Sequence, residues 1–409
     1  MKKSYYLLIV LLFIVYIGTG SSNSLLGSAW PAISADVGVP IAWESIIIVI
    51  TYIAAAIGSA TAQNLLERLR TWAPLTFGIL LIAVAVFWFS ASHRFFMLPA
   101  AGALLGYFFG MQGSLINSYA AKYYKAIWMS WLHCFYAFGN ALGPAVISWF
   151  LIHTGSWRLG YQAVGFIVIV ISVLLAASFP LWRIHGAVLP KRKAADGEPP
   201  ASSDVKAQSN RVLLRLPGGT IIPVTMFFYC SFEVVMGLWT ASYMTQEKGF
   251  TPGAAAGMVA FFFGAQVAGR IAGGFISIKV SDRMIVRVAM IVATLGTVAF
   301  LLAPDSLILL SIIVLGAASG PIFPLAIHEV PSIVGAENAQ GVIGLQIAAA
   351  NGGTAIVPVL VGVIANYTGF SIFPVFLIAL MGAAVILKTV QDRAAAKREA
   401  NSEQSRAEL

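Results

Sequence analysis

The feature that most constrains this chain is a succession of apolar stretches, each long enough to cross a bilayer and each ended by charge or by Gly and Pro. Twelve of them fall at approximately 5–30, 43–63, 72–91, 95–121, 126–150, 159–182, 218–244, 253–276, 284–303, 306–330, 341–366 and 371–390. A spanning helix needs about 20 such residues. Lipid offers backbone groups no partner, so stretches of this kind fold as helices. Only 10% of the residues are charged, against about 25% in soluble proteins. The expected fold is therefore all-α, with twelve transmembrane helices. Met1-Lys2-Lys3 also resembles the start of a signal peptide, with Gly27-Ser28-Ala29 as a cleavage site. The spans that follow need a start within the membrane, so the first stretch is read as span 1.

Charge sets the expected orientation. With an even number of spans, segments predicted to share one side hold 21 of the 25 Lys and Arg residues. Seven lie between Arg183 and Arg215 and five toward the C-terminus. Only Arg94, Arg158 and Lys248 fall in the opposite loops, and Arg270 lies within span 8. Basic loops stay cytoplasmic. This predicts a multi-pass protein of the cell membrane with both termini inside, its basic surplus facing anionic lipid rather than nucleic acid. Cys134 and Cys230 both lie in apolar stretches and are too few for a disulfide or metal framework.

The chain divides in two. Between Arg183 and Pro217, "LPKRKAADGEPPASSDVKAQSN" is too polar and Pro-rich to bury a core and reads as a cytoplasmic linker. The predicted units are a bundle over 1–182, the linker 183–217, a second bundle over 218–390 and a cytoplasmic tail over 391–409. The bundles repeat at an offset of 214: "GALLGYFFG" from Gly102 matches "GAASGPIFP" from Gly316. At the same offset "GNALGPAVISWFLIHTG" from Gly139 matches "GTAIVPVLVGVIANYTG" from Gly353. Parallel six-helix repeats place a substrate site between the halves near the midplane.

Twelve spans, a central loop and a 6+6 repeat resemble the major facilitator superfamily. "LHCFYAFGNALGP" in span 5, "CSFEVVMGLW" in span 7, "GRIAGGFIS" in span 8 and "GPIFP" in span 10 are similar to its fucose:proton symporter-type branch, most nearly the glucose/mannose:proton symporters. The resemblance implies a cavity lined by spans 1, 4, 7 and 10, helped by 2, 5, 8 and 11. That branch carries acids in spans 1 and 4. Here "GTGSSNSLLGSAW" and "GMQGSLINSY" hold none, and Gly113 stands where the span 4 acid would be.

Glu233 is the one carboxylate well inside a span. A charge at that depth costs about 2.5–3.5 kcal/mol, so such residues face bundle interiors and mark pathways. It is expected to bind substrate and, with coupling, to carry the proton. Trp239 is expected beside it as an indole on which a sugar stacks. Asn23, Gln112, Asn117, Gln266, Gln346 and Asn351 are further candidate contacts, or glue between helices. His133 either shuttles a proton or makes one interhelical hydrogen bond. Its neighbour Cys134 points about 100° away, so the two form no nucleophilic pair. Arg270 is expected to gate the inner side by pairing with Asp282 or Glu329, or else to snorkel. "IHEVP" at Ile327 lacks the second His of a zinc-protease helix, Ser332 standing there, and "NYT" at Asn366 is a short sequon.

The expectation is a monomeric secondary transporter of a hexose-like monosaccharide, coupled to protons or sodium, without cofactor or metal. A proton-coupled exporter of drugs or metabolites is the alternative. A polytopic membrane enzyme would need paired acids or a His/Asp cluster at membrane depth, and the spans show neither.

Overall fold

The computed structural model describes residues 2–68, 71–124, 126–182 and 210–407. The linker stretch 183–209 lies outside the described residues, and with it most of the linker expectation. Among the described residues eleven helices are long and apolar enough to cross a membrane. The twelfth expected span, span 4, is a 27-residue helix, Met97–Tyr123. Its glycines, Gln112 and Asn117 dilute its apolar character without shortening it.

Span 1 is two helices, Lys2–Asn23 and Leu25–Val37, and so runs past the expected end at residue 30. A single helical turn, Ile41–Trp43, leads into span 2, Glu44–Arg68. Spans 3, 5 and 6 are Trp72–Ala91, Ala126–Thr154 and Trp157–Ala177. In the second half spans 7, 8 and 9 are Ile221–Gln246, Pro252–Ile276 and Asp282–Leu302. Span 10 is broken into Asp305–Ser319 and Ile322–His328. Span 11 is Ala336–Thr368 and span 12 Phe373–Ala407, which continues as helix into the expected tail. With six spans per half, the N-terminus, the linker ends and the C-terminus share one face, called here the linker face; the other is the far face.

The repeat read from sequence is a repeat of contacts. Span 4 lies on span 2 at Gly106, where a Cβ would come within 2.1 Å of the Thr51 carbonyl oxygen. Its counterpart 214 residues on, Gly320, lies on span 8 with a Cβ position 2.3 Å from the Gln266 carbonyl oxygen. Gly139 brings span 5 against the Ile17 carbonyl of span 1 in the same way, and Gly353 brings span 11 against the Phe227 carbonyl of span 7. Without a hydrophobic drive inside lipid, close backbone approach at small residues is what joins helices. The same four helices are therefore joined alike in each half.

Between the halves the contacts are lopsided. At the far face a Cβ on Gly27 of span 1 would lie 2.5 Å from Leu238 Cα of span 7, and one on Gly362 of span 11 would lie 2.1 Å from Ser45 Oγ of span 2. Ser148 Oγ of span 5 donates to the Gly253 carbonyl at the start of span 8, at 2.7 Å. Toward the linker face spans 5 and 8 stay paired, whereas spans 4 and 10 come no closer than isolated contacts among the described residues. The halves are closed at the far face and parted at the linker face.

Candidate functional site: a polar cavity between the halves

Glu233 is the thirteenth of the 26 residues of span 7 and is half-buried. One helical turn earlier stands Tyr229, whose hydroxyl is 2.9 Å from Glu233 Oε2 and 2.8 Å from the Ser319 carbonyl oxygen of span 10. A phenol has one proton to donate. An ionised Glu233 draws it to the carboxylate. A protonated Glu233 releases it to span 10 and can donate its own proton to the phenol oxygen. The four-residue spacing makes Tyr229 legible as Glu233's neighbour, but its second partner comes from another helix.

Span 10 supplies that partner because "GPIFP" breaks the helix. The Gly320 carbonyl would accept from the residue four on, but Pro324 has no N–H. Arg270 takes the orphaned acceptor instead, with Nε 3.1 Å from Gly320 O. Its Nη1 reaches the His133 carbonyl of span 5 at 3.3 Å, crossing between the halves. Arg270 is thus not paired with Asp282 or Glu329, as the sequence had suggested. Asp282 is bonded by His328. Glu329 receives Lys388 Nζ on both carboxylate oxygens at 2.6 and 2.7 Å, and Gln391 Nε2 at 2.9 Å. Lys388, counted from sequence with the cytoplasmic tail, is buried in span 12. It also meets Asp392 Oδ1 at 2.9 Å, and Arg287 Nε bonds Asp392 Oδ2 at 2.7 Å.

The expectation for Trp239 needs correction. Its indole is 0% exposed, and Nε1 donates to the Pro358 carbonyl of span 11 at 2.9 Å. The ring lies against Gly362 and 5.5 Å from the Phe370 ring. It ties span 7 to span 11 at the far face and offers no stacking surface to a solute. Trp239→Phe loses the hydrogen bond to the Pro358 carbonyl, about 1 kcal/mol, and leaves a cavity where the larger indole packed on Gly362, which adds to that cost. The expected result is a lower melting temperature in detergent with solute affinity unchanged; a selective fall in affinity would return Trp239 to the site.

The first half contributes phenols and amides. Tyr16 of span 1 donates to Asn117 Oδ1 of span 4 at 2.9 Å, and Gln112 Nε2 donates to Thr19 Oγ1 at 3.0 Å. The Tyr16 ring stands 6.0 Å from that of Tyr136 and 6.1 Å from that of His133, both on span 5. Tyr136 in turn neighbours Asn140, Tyr52 and the Glu233 carboxylate. Asn23 and Asn351 are exposed, and beside them Gly352, like Gly113 on span 4, faces open space. Gln346 is buried and reaches only the Ala326 carbonyl at 3.4 Å. Gln266 is buried with neither end of its amide bonded. Glu233, Asn117, Gln112 and His133 therefore gather with Tyr16, Tyr136 and Tyr229, whereas Trp239, Asp282 and Glu329 belong to other neighbourhoods. The tyrosines were missed because a phenol in a span counts as apolar in a hydropathy reading.

Two six-helix bundles with polar side chains gathered between them, joined at one face and parted at the other, are the architecture of a multi-pass membrane transporter of small molecules. The sequence profile of the Major Facilitator Superfamily matches residues 12–220 and again 221–409, and the chain belongs to that superfamily. No curated protein sequence matches it. Among solved structures, a mutant of the nucleoside transporter NupG superposes with a TM-score of 0.70 at 12% identity, covering 95% of this chain and 99% of that one. A bacterial homologue of the human lysosomal transporter Spinster, inward-facing and occupied, gives 0.68 at 14% identity over 97% and 96%. FucP in its outward conformation gives 0.62 at 15% identity over 95% and 99%. These likenesses are of fold.

Proposed function

We propose that this protein moves a neutral, hydroxyl-rich solute of monosaccharide size by alternating access, in symport with a proton carried on Glu233. The observation that carries the reading is the shared Tyr229 proton, which lies between the Glu233 carboxylate on span 7 and the Ser319 carbonyl on span 10. Loading a proton on Glu233 hands the phenol to span 10, so the charge on one side chain is felt by a second helix lining the cavity. Oε1 is left for a solute hydroxyl, and the half-buried Asn117 and Tyr136 would supply further donors and acceptors from the first half. Arg270, held by two main-chain carbonyls, supplies a fixed positive charge near Glu233, so the ionised site is close to neutral overall. That balance suits an uncharged solute. With the linker face cytoplasmic, as the basic residues argue, the conformation is open inward. Asn23, Asn351 and Gln266 remain proposed contacts, and Arg270 the proposed gate, acting through the main chain of spans 5 and 10 rather than through an ion pair.

The test is uptake into proteoliposomes of a labelled panel of hexoses, fucose and nucleosides, nucleosides entering because NupG carries them and their ribose offers similar hydroxyls. Accumulation of a hexose driven by an imposed inward proton gradient is expected. Transport of amphipathic cations but of no polyol would give the exporter reading its place.

A further inference from the structure

Glu44, the first residue of span 2, was not singled out by the sequence because it stands where a loop meets a helix. In the structure it is 0% exposed, and neither carboxylate oxygen has a hydrogen-bond partner. Two more buried polar atoms beside it are unbonded: Ser45 Oγ and the hydroxyl of Tyr161 of span 6, which is near enough to sense the carboxylate's charge. A buried carboxylate and a buried phenol left unsatisfied near one another are rare in a folded protein and call for a reason.

The place adjoins the far-face closure, on its first-half side. The helical turn Ile41–Trp43 packs on span 11. Ser45 sits against Gly362, on which Trp239 also rests. The charged or titratable groups on the elements around Glu44 are few. Asp36 at the end of span 1 and Arg158 on span 6 pair with each other, and Arg158 also bonds the Ser92 carbonyl and touches His93. The facing stretch of span 11, Pro358–Ala365, carries none. Span 7 beyond Glu233 offers only Tyr243, and the start of span 4 only Tyr107, which is 3.0 Å from Thr61 Oγ1. Among the described residues Tyr161 is the one titratable group shown to feel its charge, and no cation compensates an ionised Glu44. A buried charge without a partner is among the costliest arrangements a protein can hold. A neutral carboxylic acid is tolerated there.

We propose that Glu44 is a proton-binding site of the far-face gate, which closes only over the protonated acid. With the face open, water reaches the carboxylate, which takes up or loses a proton on the far side; with it shut, the proton is trapped as the carboxylic acid. The proton returns to the side it came from on reopening. Glu44 thus sets when the gate shuts, and Glu233 carries the proton across. The inference rests on alternating access but not on Glu233.

The sign follows from linkage. The closed state binds one proton more than the open state, so falling pH on the far side favours closure, by up to about tenfold in the closed-to-open ratio per pH unit. The test is the distance between nitroxides on Ala35 and Asn366, exposed ends of spans 1 and 11, in the full chain with Cys134 and Cys230 replaced by Ala, read from about pH 5 to about pH 8.5. The short-distance population is expected to dominate at low pH and to give way as pH rises. Glu44→Gln should hold it dominant throughout, and Glu233→Gln should leave the pH response in place. A wild-type population that ignores pH, or a Glu44→Gln protein that responds as wild type does, overturns the proposal. Should Glu44→Gln not purify folded, persistence of the pH response in Glu233→Gln decides: its loss there assigns the effect to Glu233 and refutes Glu44. A second label pair at the linker face, tested with the hexose from the uptake panel, reports alternating access separately.

Discussion

Glu233→Gln is expected to abolish concentrative uptake while leaving exchange of solute down its gradient. The amide keeps the length of the side chain and an acceptor for the Tyr229 hydroxyl, now 2.9 Å from Oε2, but it neither gains nor loses a proton. Tyr229 then has no reason to move its proton between Glu233 and the Ser319 carbonyl at 2.8 Å. Solute binding is uncoupled from the conformation of span 10. In proteoliposomes the accumulation ratio under an inward proton gradient should fall to about one, and counterflow should lose its dependence on pH. Without a titrating carboxylate nothing ties the solute to the proton gradient. Tyr229→Phe should weaken coupling less, since the Glu233 carboxyl group is still present. A Glu233→Gln protein that accumulates solute as wild type does would move the proton elsewhere, with His133 the next candidate.

Lys388→Ala is expected to have the largest effect on stability. Lys388 is 1% exposed and joins Glu329 of span 10 to Asp392 of span 12. Removing it strands a carboxylate pair, one of which retains only Gln391 and the other Arg287. Breaking a buried ion pair from one side costs about 3–5 kcal/mol, a large share of the margin of most folded proteins. The readout is melting temperature and monodispersity in detergent. Replacing both charges, as Lys388→Met with Glu329→Gln, should restore much of the loss, because the desolvated carboxylate is then gone. A Lys388→Ala protein that melts as wild type does would show that the network contributes nothing to stability.

Some of the site was available by counting along one helix. Tyr229 lies four residues before Glu233 and so shares its face; Trp239 lies six after, which at about 100° per residue turns it about 120° away. That spacing argued against the indole as a partner for the carboxylate. What no count along a helix supplies is the partner on a different helix. Arg270, Asp282, Glu329 and Lys388 are each a lone charge near a span end in the sequence. Which of the opposite charges each finds depends on how spans 8, 9, 10 and 12 are rotated about their axes, and their hydropathy hardly records that rotation. Glu44 is the plainest case. At the first position of a helix it reads as a solvated acid, and only the folded arrangement, with Tyr161 of span 6 beside it, makes it a buried one.

The sequence by itself determined the spans, their number and their pairing into two like halves. Lipid satisfies no backbone group, so an apolar run of sufficient length has one conformation open to it. Gly106, Gly320, Gly139 and Gly353 mark where backbones must meet. The tertiary structure alone decided the rest: Trp239 as a seal, Arg270 on the Gly320 carbonyl freed by the span 10 break and on the His133 carbonyl of span 5, Lys388 inside the second bundle and Glu44 buried unpaired near the closed face. The physical reason is one of range. Helix formation and small-residue packing are written within a few turns of chain, whereas the energy of a buried polar group depends on its neighbours from distant segments, which only the folded arrangement supplies.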